Sequence, residues 1–329
     1  MAAALRARGC RVRLIELDAS FPHPTTAALE QAGHALASVP TGTIAIIDSL
    51  AFGAMPDLVA REAARLRIVA LLHLPLAATW GLDVDTARRF ESSERRALGC
   101  TVLVIVTGTA AAPLLARYEV PSHRITVVEP GTDPAPLARG SGPADRTIEL
   151  LCVGTLNAIK GHELLLEALA ATSNRNWHLT CAGSLTRDPT TADRVCAATA
   201  RLGLADRVTL VGDLDRDALA TCYDRADLFV LATRQETYGM AVAEALARGL
   251  PVVATMTGAI PELVGSDAGV LVPVDDRTAL TAALTRLLDD RALRARLAGG
   301  ARRVRDRLPT WEAAAERMVA ALAAIDAHG

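Results

Sequence analysis

Residues 233–255 read TRQETYGMAVAEALARGLPVVAT and link two apolar runs, 228–232 and 251–255, through a segment of helical period. Short apolar runs bounded by polar and glycine positions read as buried parallel strands. The stretch is therefore a strand, a loop, a helix and a second strand. Its two carboxylates, Glu236 and Glu244, stand eight positions apart. Both on one helix would lie about 80° apart around its axis. They share a site more easily if Glu236 sits in the loop at the strand's carboxyl end and Glu244 on the first turns of the helix. Between them, Tyr238-Gly239-Met240 places a glycine where backbone must come close. The helix start also offers unpaired N–H groups to an anion. Glu244 is flanked by apolar residues and needs a partner, which paired hydroxyls such as those of a ribose would supply. A solvated glutamate at the helix edge and a loop-capping Glu236 remain the plainer alternative.

Working outward, the second half carries strand patterns at 148–153, 178–181, 208–211, 228–231, 252–254 and 270–272. Helical stretches at 163–171, 191–202, 217–224 and 240–248 separate them. The first half alternates in the same way. A short helix over 1–8 is closed by Gly9, strands follow at 11–17, 43–47, 68–72, 101–106 and 125–128, and helices lie at 56–67, 85–98 and 110–118. Alternation of this kind gives parallel, doubly wound sheets. The α/β chain is thus expected to hold two Rossmann-like domains facing a cleft, joined by a linker over 134–146 that contains Gly140-Ser141-Gly142-Pro143. The first domain reads as starting one strand late, since a helix and not a strand opens the chain. An upstream start of the reading frame would supply that strand.

One cation stands out. Of 35 basic residues, Lys160 alone is lysine. It closes the loop Gly154-Thr155-Leu156-Asn157-Ala158-Ile159-Lys160-Gly161, between a strand and a helix, where an ammonium can neutralise a diphosphate. Gly follows the lysine, so this is no Walker A loop. A surface lysine without a ligand is the plainer reading. His73 ends the strand 68–72 and could bond a sugar hydroxyl or serve structure alone. Asp83, Asp85, Asp213, Asp215 and Asp217 form D-x-D pairs that could hold Mg²⁺. Helix capping by Asp217, and by the pair before residue 86, explains them better.

Glu236, Glu244, the strand 251–255 and Gly258-Ala259-Ile260-Pro261-Glu262 together resemble the signature of the retaining glycosyltransferases of family 4, which have the GT-B fold. The resemblance covers roughly residues 60–325 and is specific from Gly154 to Val272. It implies a metal-independent, retaining transfer of sugar from a nucleoside diphosphate sugar donor to an unidentified acceptor hydroxyl. It assigns Glu236 to the donor sugar, Glu244 to the ribose, Lys160 to the diphosphate, the Gly212 loop to the neighbourhood of the base, and His73 to the acceptor side. The donor-binding set is then Gly154, Thr155, Lys160, Gly212, Glu236, Tyr238, Gly239, Met240 and Glu244, and the catalytic set His73, Lys160 and Glu236. No metal and no cofactor is expected. The implied domains are residues 1–139, an acceptor-side domain; 140–309, which binds the nucleotide sugar; and 310–329, a helix returning to the first. Thr155 departs from the family, which usually has Arg there. This leaves open a non-catalytic relative that binds a nucleotide sugar or serves as a partner subunit. A GT-B sugar-nucleotide epimerase is weaker, since its catalytic carboxylates find no match.

Totals exclude other classes. With 51% apolar and 22% charged residues the chain is globular, and a net charge of -2 gives no footprint for nucleic acid. No apolar run is long enough to cross a bilayer and no secretory leader is visible. Arg291, Arg294, Arg296, Arg302, Arg303, Arg305 and Arg307 could meet an anionic membrane peripherally, but interleaved aspartates suit a solvated helix better. Six scattered cysteines without a C-x-x-C pair fit a reducing cytoplasm and no metal site, and the remaining histidines show no cluster spacing.

Overall fold

A computed structural model describes residues 1–142 and 147–327; Pro143 to Arg146 of the expected linker, and His328, lie outside the described residues. Contacts divide the chain into two compact units, Met1–Gly131 with Pro309–Gly329, and Thr132–Leu308. The sequence puts the changeover at 139/140 and 309/310. Residues 138–140 pack onto the second unit because the Ala138 N–H donates to Arg248 O, and those of Arg139 and Gly140 to Asp224 O.

In the first unit, β1 (Ile44–Asp48), β2 (Arg67–Leu72), β3 (Leu103–Val106) and β4 (Ile125–Val127) form one parallel sheet in sequential order. One face packs through Ile68, Ala70, Val104 and Val106 against Phe52, Val59 and Leu98. The other packs through Val69, Leu103 and Ile105 against Leu5, Ala315 and Met318, so the helices Ala2–Ala7 and Trp311–Ala327 cover it. Buried β-branched residues on both faces are the mark of a parallel sheet.

Two local expectations fail here. Residues 11–17 alternate as a strand should, yet they form none: the Val12 carbonyl accepts from the Arg6 guanidinium at 2.9 Å, and Leu14 is 68% exposed. A strand pattern without a neighbouring strand leaves its backbone groups to other partners. Residues 110–118 fall in a 3₁₀ helix, Thr109–Tyr118, with Pro113 inside it. Proline removes an N–H and crowds the carbonyl four residues back, which disfavours a regular α-helix.

The second unit holds β5 (Ile148–Val153), β6 (Trp177–Ala182), β7 (Val208–Gly212), β8 (Leu228–Leu231), β9 (Val252–Thr255) and β10 (Gly269–Val272). All pair in parallel in the order β10-β9-β8-β5-β6-β7. After β7 the chain returns to the far side of β5, so the winding reverses between β5 and β8. That is the topological switch point at which open α/β sheets bind ligands, beyond the strands' carboxyl ends. Every residue of β8 and β9 is buried, as a central strand covered on both faces requires. Among the described residues, no helix is long and apolar enough to cross a membrane.

Candidate functional site

The loops leaving β5 and β8 meet at this switch point. The first, residues 154–161, ends in a short 3₁₀ turn, Ala158–Lys160, capped by Asn157, whose side-chain oxygen accepts from the Lys160 N–H at 3.1 Å. Gly161 follows with φ 67, and a Cβ there would lie 2.1 Å from Ala232 O. Only glycine allows the β5 loop to lean on the end of β8. The Arg234 N–H also donates to Ile159 O at 2.7 Å, and the Arg234 side chain pairs with Asp275 at 2.7 Å while donating to Ala158 O. These bonds fix the loop, so Arg234 acts as a strut between the two loops.

The Lys160 chain lies over Gly154, whose Cβ position is 3.3 Å from Lys160 Cγ and Cδ. Its ammonium pairs with the Glu236 carboxylate, with side chains 23% and 15% exposed. The sequence placed both residues beside a donor without joining them. From the other side, Gly258 has φ 55, and a Cβ there would meet Glu236 O at 2.0 Å. Glycine is thus required for the 258 turn to close on the Glu236 backbone.

Gly239, with φ 94, caps the helix Met240–Ala247, which carries Glu244. Glu244 accepts from the Tyr223 hydroxyl at 2.9 Å. Tyr223 is fully buried, and the Arg248 guanidinium lies 4.3 Å from its ring centroid. Burial first, then the adjacent Glu244, pushes the Tyr223 phenol well up, so it stays a donor at neutral pH. Tyr238 is buried in a small cluster with Ala243 and Ala259, and Met240 packs against that cluster. Gly212 ends β7 with φ 72, and a Cβ there would make only an ordinary contact, 3.9 Å from Leu185 Cδ1. Thr155 is half-buried, in a turn where Gly183 comes so close that a Cβ would lie 2.1 Å from Gly154 O.

His73 belongs to the first unit, just beyond β2. Its Nε2 lies 3.0 Å from Asp48 Oδ2, at the end of β1. Asp48 went unremarked in the sequence because the pairing needs β1 beside β2. Burial raises its carboxyl, but hydrogen bonds from His73 and the Leu50 N–H and the His73 charge outweigh it, leaving it below its usual range. Of the D-x-D aspartates, Asp83 accepts from the Asp85 and Thr86 N–H groups, and Asp215 from that of Ala218 at 2.8 Å. The cap of the helix Arg216–Arg225 is therefore Asp215 and not Asp217, which lies inside the first turn. The arginines of 291–307 are partly engaged: Arg303 with Asp267 at 3.5 Å, and Arg305 with Ala135 O at 2.8 Å.

Spacing also hid a buried group. Cys152, His162 and Cys181, ten and nineteen positions apart, converge beneath the Lys160 loop, with ligand atoms all within 4.8 Å of one another. Strand pairing, which local sequence does not display, puts them together.

Residues 147–290 match the family described as Glycosyl transferases group 1, and the second unit thus carries a group 1 glycosyltransferase domain. A D-inositol 3-phosphate glycosyltransferase of Salinispora tropica is 34% identical over 226 residues, 61% of this chain and 46% of that protein. One from Thermobispora bispora is 35% identical over 237 residues, 66% of this chain and 54% of that protein. The chain spans about half the length of these relatives. By structure it resembles a sucrose-phosphate synthase from Thermosynechococcus elongatus, with TM-score 0.79, 24% identity and coverage of 96% of this chain and 84% of that one. It also resembles HepE from Anabaena in complex with UDP-glucose, with TM-score 0.74, 19% identity and coverage of 90% and 82%. The two parallel sheets thus match GT-B glycosyltransferase structures.

Proposed function

We propose that the chain is a retaining, metal-independent glycosyltransferase that moves a sugar from a uridine diphosphate sugar to an acceptor hydroxyl. The observation that carries the reading is the Lys160–Glu236 pair at the switch point, which sets a cation and a carboxylate side by side where open α/β sheets bind ligands. A diphosphate is the stronger partner for the ammonium. On donor binding Lys160 exchanges Glu236 for the diphosphate, and Glu236 is released to accept from hydroxyls of the sugar. Glu244 holds the ribose hydroxyls, its Oε2 oriented by Tyr223. Charge then grows on the departing diphosphate, where Lys160 and the N–H groups starting the helix Met240–Ala247 oppose it. The acceptor hydroxyl attacks from the same face and passes its proton to the departing phosphate oxygen. His73, oriented by Asp48, bonds the acceptor on the first unit. HepE with UDP-glucose supports the choice of base, and free cysteines suit a cytoplasmic setting.

Incubation with UDP-glucose or GDP-mannose and a panel of polyol acceptors, D-inositol 3-phosphate included, followed by NMR of the products, tests the reading. An α-linked product from an α-linked donor, formed equally with a chelator present, is expected. A β-linked product or loss of activity in the chelator would overturn it. Thr155 favours a second reading, a non-catalytic nucleotide-sugar binder. Donor binding without consumption would identify that, and an isomerised donor would identify an epimerase.

A further inference from the structure

Cys152 on β5 and Cys181 on β6 are register partners in the sheet, so both thiols face the same side. His162 opens the helix His162–Ala170 that follows Gly161, and its Nε2 lies 3.6 Å from Cys152 Sγ. All three side chains are buried, His162 at 2% exposure. Nδ1 of His162 has no hydrogen-bond partner among the described residues, so the weak contact of Nε2 with the Cys152 sulfur leaves half of this buried imidazole unsatisfied. A tetrahedral ion with metal–sulfur bonds of about 2.3 Å and a metal–nitrogen bond of about 2.0 Å holds its sulfur and nitrogen roughly 3.5 Å apart and its two sulfurs roughly 3.8 Å apart. The observed 3.6 Å, and the limit of 4.8 Å on every pair, match these spacings closely.

We propose that Cys152, His162 and Cys181 form a binding site for a thiophilic divalent cation of the zinc class, with a small ligand such as water in the fourth position. Charge selects the divalent ion: two thiolates and a neutral imidazole around it carry no net charge, which a buried site demands. Binding forms two metal–sulfur bonds and one metal–nitrogen bond and releases the two thiol protons to solvent. The site lies outside the donor reading, and its ion would clamp β5, β6 and the residue two positions beyond Lys160 together.

Cadmium is the probe. Titrating Cd²⁺ into the chelator-treated protein should produce a thiolate-to-metal charge-transfer band in the ultraviolet that saturates at about one ion per chain, and Zn²⁺ should abolish it by competition. Cys196→Ser with Cys222→Ser should leave the titration unchanged. Cys152→Ala with Cys181→Ala should abolish the band, and His162→Leu should weaken binding about tenfold or more. A second measurement needs no variant: in pulsed alkylation of the parent protein across a urea series, Cd²⁺ should raise the urea concentration at which the buried Cys152 and Cys181 react and should slow their alkylation more than that of Cys10, Cys100, Cys196 and Cys222. No band in the parent, an undiminished band in the double variant, or protection of the other cysteines in place of these two would overturn the proposal.

Discussion

Removing one charge from the Lys160–Glu236 pair should tighten nucleotide binding while impairing turnover. In the parent, UDP must separate the ammonium from Glu236 before the diphosphate can take it. Two unit charges about 4 Å apart at an effective dielectric constant near 20 attract by about 4 kcal/mol. The side chains are 23% and 15% exposed, so much of that attraction is offset by lost hydration and screening. A net value of about 1–2 kcal/mol remains, between that of exposed and that of fully buried pairs. At 1.4 kcal/mol per factor of ten, Glu236→Gln should bind UDP roughly 5–30-fold more tightly than the parent. Relief of repulsion between the carboxylate and the diphosphate acts in the same direction. Turnover with UDP-glucose should fall about a hundredfold, because the sugar loses its orienting acceptor. Isothermal titration with UDP at low and high salt reads the first effect, and the gain should shrink as salt screens the pair. In a Lys160→Ala background, where no pair exists to break, the gain should also shrink. Unchanged or weaker UDP binding by Glu236→Gln would refute the partner exchange.

Lys160→Ala should weaken UDP binding about tenfold or more while lowering stability by no more than the roughly 1–2 kcal/mol of the lost pair, and equal affinities would remove Lys160 from the diphosphate site. Glu244→Gln should also weaken UDP binding, and Tyr223→Phe should lower stability by about 0.5–1.5 kcal/mol, because the half-buried Glu244 loses a hydrogen-bond donor; urea melts and titration with UDP check both. Gly161→Ala should destabilise by about 2 kcal/mol or more, since φ 67 and a Cβ 2.1 Å from Ala232 O demand movement of the loop; an unchanged urea midpoint would contradict this. The Asp48 carboxyl is depressed in the folded state, so its contribution to stability is present above the ordinary carboxylate pKa and is lost as pH falls through its lowered value. Asp48→Asn should therefore flatten the acid limb of stability against pH, and an unaltered limb in urea melts from neutral pH downward would reject the His73–Asp48 pairing.

Local sequence determined much of this protein. Apolar runs bounded by glycine and polar residues marked all six strands of the second unit, most fully β8 and β9, because a strand covered on both faces must be apolar throughout. The loop positions of Lys160, Glu236 and Gly239 followed from the same alternation. At residues 11–17 the pattern was insufficient, since a strand exists only where a neighbour takes its backbone hydrogen bonds, and that neighbour is not a local property. Tertiary structure alone decided which side chains meet: Lys160 with Glu236 across 76 positions, Tyr223 with Glu244 across 21, and His73 with Asp48 across 25. The buried Cys152–His162–Cys181 group is the clearest case. Its members share no motif spacing, and strand register together with a helix start brings them within 4.8 Å. Sequence periodicity records what each residue does to its own element, whereas the site arises from the order in which strands pair, which is set by packing over the whole sheet.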